Sequence, residues 1–304
     1  MKNLNKCDSC GKFKGDQKNC LCNIDEDKKQ EAIKYLQTAG YQVQKREVKT
    51  DQHFIVDPSR FKGDTIKFAA IGDTHIGSKY QQMGWLTSFY CYCFEKDINL
   101  ILHAGDVVAG NDKVYKGQEY ELFIHGADAQ LEYIVENYPR FEGIETKVIA
   151  GNHDESFWKD GGYNLVKRFA EKRPDIEYLG LYGAYLDLKG IKVYLAHGDG
   201  GNAYARSYKM QKRIEQFSPQ EKPDVYILGH YHTVSEIPMY RNVLGIQVGC
   251  FEAQTPYLKR KGLYPEIGGH IIELKVNSTD RGEPGIISIK REFIPFYVPV
   301  KNDY

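Results

Sequence analysis

The sequence predicts an α/β protein built of stacked layers, and three observations carry that prediction. After Thr65 the chain alternates apolar, strand-like runs with amphipathic helical runs, the pattern of sheets covered by helices. Five strand-like runs end directly in polar, Gly-containing turns: IKFAAIGDTH, INLILHAGD, TKVIAGNHD, IKVYLAHGD and DVYILGHYH. At 304 residues the chain is long enough for one large core plus a small appendage.

Taken in order, residues 1–26 are polar and Cys-rich and lack the apolar periodicity of a self-sufficient core. Residues 27–62 read as a small helix-plus-strand module or flap. Ala32, Ile33, Tyr35, Leu36 and Ala39 share one helical face, Gly40 follows as a stop, and short alternating stretches run from Tyr41 to Val48 and from His53 to Val56. Residues 63–304 form the main domain. Its expected helices run from Gln82 to Lys96, Glu119 to Asn137, Tyr163 to Lys172 and Ala205 to Phe217. Further strands are expected at Arg241 to Phe251, His270 to Val276 and Ile286 to Phe296.

Composition removes several classes of function. Hydrophobic residues make up 41% and charged residues 27%, and no run approaches the roughly 18 to 20 apolar residues of a membrane span. The formal net charge is zero, so attraction to a polyanion must be local. The opening MKNLNKCDSCGKFKG has no apolar signal-peptide core, and the seven cysteines are odd in number and partly spaced CxxC. Both features point to the cytoplasm.

The strand ends carry the chemistry. Layered α/β folds gather ligands at the carboxyl ends of strands, and each of the five ends here bears Asp, Asn or His. Asp73 with His75, and His230 with His232, are two residues apart, so a strand continuing through either pair aims both side chains to one side. His103 reads as an ordinary strand residue. Mixed carboxylate and imidazole ligands suit manganese, iron or zinc better than magnesium or calcium. Two such ions sharing a carboxylate polarise phosphoryl oxygens and generate a hydroxide near neutral pH.

These motifs resemble the calcineurin-like metallophosphoesterase superfamily: D-x-H at 73–75, GD at 105–106, GNHD at 151–154, HG at 197–198 and GHYH at 229–232. The resemblance implies a four-layer αββα sandwich, here with a small Cys-rich N-terminal extension. It also implies one metal on Asp73, His75, Asp106 and His232, and a second on Asp106, Asn152, His197 and His230, with Asp106 as bridge. By the same resemblance, an activated water would attack phosphorus while His153 would contact the phosphate and protonate the leaving oxygen. In many members an Asp or His three residues after the bridging carboxylate supports that histidine. Here the position is Ala109, leaving Asp154 and Asp112 as candidates for the support.

The Ser/Thr protein phosphatases of the superfamily carry GDxVDRG and GNHE, whereas this chain has GDVVAGND and GNHD. The stretches around the ligands, including the segment from Gly229 to Gly269 with its QTPY motif, are similar to the exonuclease-type small subunit of archaeal family-D DNA polymerases and to related phage phosphoesterases. That likeness implies DNA as substrate and a nuclease, exonuclease-like in action. About 60 residues precede the catalytic region, leaving no evident counterpart of the subunit's oligonucleotide-binding domain, so a polymerase partner is disfavoured.

Local features agree with a polyanion. In AYARSYKMQKR, Arg206, Lys209 and Arg213 fall near one helical face, and Tyr204 and Tyr208 stand i, i+4, as base-stacking residues do. A solvated helix face with ordinary tyrosine packing is the competing reading. Lys259, Arg260 and Lys261 form a second basic cluster. Cys7, Cys10, Cys20 and Cys22 offer four thiolates for a tetrahedral structural zinc, the alternative being reduced, unligated thiols; Cys91, Cys93 and Cys250 read as packing residues.

The expectation is therefore a dinuclear metal-dependent phosphodiester hydrolase, manganese favoured over iron or zinc, acting on DNA. The alternatives are a small-molecule or cyclic-nucleotide phosphodiesterase or nucleotidase, and a non-catalytic DNA- or polymerase-binding scaffold.

Overall fold

The computed structural model describes residues 34, 35, 38, 52–111, 114–278 and 284–296. The chain divides into two compact units, Met1–Thr50 and Asp51–Tyr304. Cys7, Cys10, Cys20, Cys22 and Asp112 lie outside the described residues. Among the described residues no helix is long and apolar enough to cross a membrane.

Two six-stranded sheets make up the second unit. The first takes β1 (Gln52–Val56), β6 (Gly183–Leu188), β7 (Ile191–His197), β8 (Val225–Gly229), β10 (Val243–Gln247) and β9 (Ser235–Tyr240), in that spatial order. The second runs β12 (Pro284–Pro295), β11 (Gly268–Ser278), β2 (Thr65–Ile71), β3 (Leu100–His103), β4 (Glu145–Ala150) and β5 (Ile176–Leu181). The expected stretch at His53 to Val56 is an edge strand, paired in parallel with β6 from Gln52↔Ala184 to Val56↔Leu188. A boundary at residue 62 therefore cuts through the second unit, which begins at Asp51.

Alternation along the strands divides the apolar residues between two faces. Ile66, Phe68 and Ala70 of β2 point inward with Leu100, Leu102, Val193, Leu195, Ile227 and Ile246, forming the core between the sheets. Ala69 and Ile71 point outward, into a second core with α1 (Met83–Glu95), α2 (Ala127–Asn137) and α4 (Leu165–Lys172). On the far side, Tyr194, Tyr226 and Leu228 pack against Met210 and Ile214 of α5 (Tyr208–Gln216). The order of layers is helix, sheet, sheet, helix, as the family resemblance implied.

Three helices depart from the expected pattern. The helix expected from Glu119 begins at Ala127, because Gly126 holds φ at 88° and no helix passes through that conformation. Helix α3 (Asn152–Gly161) was not expected: its N-cap is Gly151 and its first turn is the polar NHD of the motif, which reads as loop. Helix α5 starts at Tyr208, three residues after the expected start at Ala205, so Tyr204 and Arg206 precede it.

Strands β2, β3, β4 and β5 are parallel, as are β7, β8 and β10. In register, Ile71 pairs with His103, His103 with Val148, and His197 with Gly229. Each of these strands therefore reaches its carboxyl end beside its neighbour's. The loops leaving β2, β3 and β4 in one sheet meet those leaving β7 and β8 in the other.

Candidate metal centre

Asp73 and Asp106 are both fully buried where these loops meet, with His75, His197, His230 and His232 around them. One ligand atom each of Asp73, His75 and His232 lies within 4.8 Å of the others, and the same holds for Asp106, His197 and His230. In the first group His75 Nε2 stands 3.0 Å from His232 Nε2, and His232 Nε2 is 3.5 Å from Asp73 Oδ1. Asp106 Oδ2 is 3.8 Å from His75 Nε2. In the second group His197 Nε2 is 3.2 Å from Asp106 Oδ2, 3.0 Å from Asn152 Oδ1 and 3.2 Å from His230 Nδ1. Asp106 thus stands between the two.

The backbone, not strand alternation, brings these side chains together. Strand β2 ends at Ile71 and β8 at Gly229, so neither D-x-H nor H-Y-H continues a strand. Asp73, His75, Asp106, His230 and His232 instead have φ of 53°, 42°, 54°, 91° and 53°. Such left-handed conformations cost non-glycine residues roughly 1–3 kcal/mol each and cluster at functional sites. The expectation of a shared strand face is corrected on this point.

Main-chain carbonyls set the imidazole tautomers. His197 Nδ1 is 2.8 Å from the Ala104 oxygen and His230 Nε2 is 2.8 Å from the Gly200 oxygen. A carbonyl accepts only, so each of these nitrogens carries the proton and the other nitrogen turns a lone pair inward. Gly151 makes room beside them: a Cβ there would stand 2.2 Å from Asp106 Oδ1.

The donor set fits divalent cations. Buried carboxylates of Asp73, Asp106, Asp154, Glu121 and Glu252 crowd one region, and among the described residues none is ion-paired with lysine or arginine. Burial, with the Asp106 and Asp154 carboxyls close by, pushes Asp73 well above the usual carboxylate range, although His197 opposes the shift. Burial also opposes ionisation of Asp106, but His197 and His153 outweigh it and hold that carboxyl well below. Burial, with Glu121 and Asp73 close by, pushes Glu252 up to about 8. Uncompensated buried charge of this density is costly, and a bound cation is the usual remedy.

Residues 66–234, more than half of the chain, match the family described as calcineurin-like phosphoesterase. The chain belongs to that family. This calcineurin-like phosphoesterase is also similar to the DNA polymerase II small subunit of Archaeoglobus fulgidus, 24% identical over 267 residues. The match covers 67% of this chain, which spans about half, 52%, of the subunit's length. Among solved structures, Vacuolar Protein Sorting 29 from Cryptosporidium parvum is 14% identical, with 76% of this chain and all of that one covered, at a TM-score of 0.39. GAP50, the anchor in the inner membrane complex of Plasmodium, is 12% identical, with 76% and 90% covered, at 0.44. These structural likenesses are remote, and the family match carries the assignment.

In this phosphoesterase His153 sits in the first turn of α3. Its backbone N–H donates to Asp106 Oδ1 at 2.9 Å, and its ring meets His75 edge-on at 4.4 Å between centroids. Nδ1 lies 2.7 Å from the carbonyl oxygen of Ala109. Asp154 does not touch the ring. Its carboxylate accepts from the N–H groups of Val107, Val108 and Gly151 at 3.2, 2.9 and 2.8 Å, stapling the loop after β3 to the start of α3. His103 is buried against the Thr74 hydroxyl at 3.2 Å and belongs to neither ligand group.

A cavity of about 600 Å³ opens over the site, with His75, Asp106, Asn152, His153, His230 and His232 in its wall. The expected substrate contacts disperse. Tyr204, Arg206 and Lys209 line a neighbouring pocket that shares Tyr231 and Tyr264 with the cavity. Arg206 is held there by both oxygens of Glu266, at 2.8 and 2.9 Å. Arg213 folds over the rings of Tyr194 and Phe217. Tyr208 is half exposed at the start of α5, and Lys259, Arg260 and Lys261 are exposed. Cys93 and Cys250 are buried, whereas Cys91 is partly exposed.

Sequence reasoning passed over Glu252, whose Oε2 stands 3.9 Å from His232 Nδ1, and Glu121 in the same cavity wall. The signal for Glu252 was its place in FEAQTPY, just after the strand run that ends at Phe251.

Proposed function

We propose that this chain is a dinuclear, divalent-metal-dependent phosphodiester hydrolase that acts on a DNA strand. The observation that carries it is a cavity whose wall holds members of both ligand groups together with His153, with exposed tyrosines at its rim. Tyr257 and Tyr264 border the cavity itself, and Tyr204 borders the adjoining pocket. Aromatic faces beside a phosphoesterase centre suit stacking of successive bases. The likeness to a DNA polymerase subunit supports the same reading.

Asp73, His75, Asp106 and His232 would hold one ion, and Asp106, Asn152, His197 and His230 the other. Manganese is the favoured metal. Divalent cations there would polarise the phosphoryl oxygens and lower the pKa of a water. The protein's own contributions are positional. The Ala109 carbonyl fixes the Nδ1–H of His153, leaving Nε2 to carry a proton to the departing oxygen. The amide of His153 orients Asp106, and Asp154 holds the two loops in register.

The test is the manganese-loaded protein on labelled single- and double-stranded DNA, beside bis-p-nitrophenyl phosphate and cyclic nucleotides. Cleavage of DNA supports the proposal. Turnover of the small esters alone overturns the nuclease reading in favour of a small-molecule phosphodiesterase, and inactivity with every metal favours a binding scaffold.

A further inference from the structure

We propose that a second cleft, beside His197, is a phosphate-binding channel for the part of a nucleic-acid strand that lies beyond the scissile bond. The inference rests on the nuclease reading and adds to it the path of the strand.

The cleft has a volume of about 690 Å³ and is lined by four cations: Lys159 from α3, and Lys209, Lys212 and Arg213 from α5. Its lining holds one acid, Asp199. That concentration is not a reflection of the whole chain, whose formal net charge is zero. The three α5 cations stand at i, i+3 and i+4 and so share a face, while Met210 and Ile214 anchor the helix in the core.

The cleft adjoins the metal centre. His197 lines it, although the Nε2 of the same ring faces Asp106 and Asn152. Asp199 and Tyr231 line both the cleft and the cavity over the site, and Lys209 continues into the pocket that holds Tyr204. A strand leaving the cavity across Asp199 and Tyr231 lays its next phosphates against the four cations.

Present partners leave Lys209 and Lys212 available to phosphate, and Lys159 keeps an exposed side chain, whereas Arg213 lies over the Tyr194 and Phe217 rings. Lys209 Nζ meets the Asp199 carbonyl oxygen at 3.3 Å and otherwise stands over the Tyr231 ring. Lys212 is 4.0 Å from Glu215, with its side chain 53% exposed. Lys159 pairs with Glu155, its own side chain 62% exposed and that of Glu155 14%, and Glu155 also accepts from the Tyr182 hydroxyl. The exposed Lys212 pair contributes little to stability, so exchanging its carboxylate for a phosphate costs little, and Glu155 keeps the Tyr182 hydroxyl when Lys159 turns to a phosphate. No base-reading side chain is needed, and the expected ligand is a single strand bound without regard to sequence.

The experiment uses the full chain with manganese in a His153→Asn background, titrated with labelled oligothymidylates of increasing length at several salt concentrations. Lys159→Gln combined with Lys212→Gln should weaken binding of a 12-mer about tenfold and lower the salt slope by roughly 1.4, the release expected for two single-strand phosphate contacts. In the otherwise wild-type enzyme, the ratio of kcat/KM for the 12-mer to that for bis-p-nitrophenyl phosphate should fall by a similar factor. A control pair with the same charge change, Lys67→Gln with Lys290→Gln, should move neither quantity, and melting curves confirm that both double variants fold. An unchanged slope and ratio, or an equal loss in the control, overturns the channel while leaving the nuclease reading intact. A parent enzyme that neither binds nor cleaves any oligonucleotide, yet turns over the small ester, overturns both.

Discussion

The Nδ1 of His153 lies 2.7 Å from the carbonyl oxygen of Ala109, a main-chain group in the supporting role for which Asp154 and Asp112 were the candidates. The carbonyl fixes the tautomer without adding a charge, while the rings of His75 and Tyr115 meet the imidazole edge-on. His153→Ala should therefore keep its metal content, counted by elemental analysis, while turnover falls by roughly 10² or more, the loss expected for a positioned acid. A rate within twofold of the parent would remove His153 from the chemistry.

Asp154 adjoins His153 in sequence but acts elsewhere. Three backbone N–H groups converge on its carboxylate, and asparagine would turn an amide N–H₂ toward donors. Asp154→Asn should lower stability by about 1–3 kcal/mol and weaken manganese binding roughly 10- to 100-fold, as loss of outer support does. At saturating manganese the kcat should recover to within a few-fold. A kcat that stays low with both metals bound would instead give Asp154 a direct catalytic part.

The residues that gather at the site were legible because five apolar strands run straight into Asp, Asn and His, a coincidence that a single sequence displays. The way they converge was not legible. A left-handed φ at Asp73, His75, Asp106, His230 and His232 leaves no trace in residue type, since glycine is what that conformation usually selects. Helix α3 was hidden for a related reason: Asn152, His153 and Asp154 serve both as its first turn and as site residues. Strands β5, β6 and β9 were missed because their apolar and polar residues do not alternate cleanly, as in IEYLGL. The support of His153 could not be read at all, because every residue has a carbonyl and only the folded backbone shows which one is aimed.

His270 gives a pH dependence separate from the metal centre. Burial, with Arg291 nearby, lowers its pKa to about 4 from the ordinary 6.5. Glu236 Oε1 stands 3.6 Å from its Nε2, Arg291 pairs with Glu236, and the Phe293 ring packs on its face. Between pH 6.5 and 4 the unfolded chain binds this proton and the folded chain does not. Stability therefore falls as pH drops through that window, by about 1.4 kcal/mol per unit, and levels off below it. His270→Leu should flatten this part of the acid limb in urea melts run from pH 7 to 4. Parallel curves for parent and variant would show that His270 is not buried neutral.

Asp106 lies between both ligand groups, 3.8 Å from His75 Nε2 and 3.2 Å from His197 Nε2. Its loss should therefore disable both positions, whereas His232→Ala should affect chiefly the group containing Asp73. Cations that bind the folded state raise its stability by RT ln(1 + [L]/Kd), about 2.7 kcal/mol at a hundredfold excess over Kd. Manganese should thus raise the Tm of the parent protein in proportion to the logarithm of its concentration, and chelation should reverse the shift. In Asp106→Asn the shift should vanish and the bound manganese should fall from two equivalents to none, while His232→Ala retains about one. An Asp106→Asn protein that still binds two equivalents would show that the two groups do not share this carboxylate.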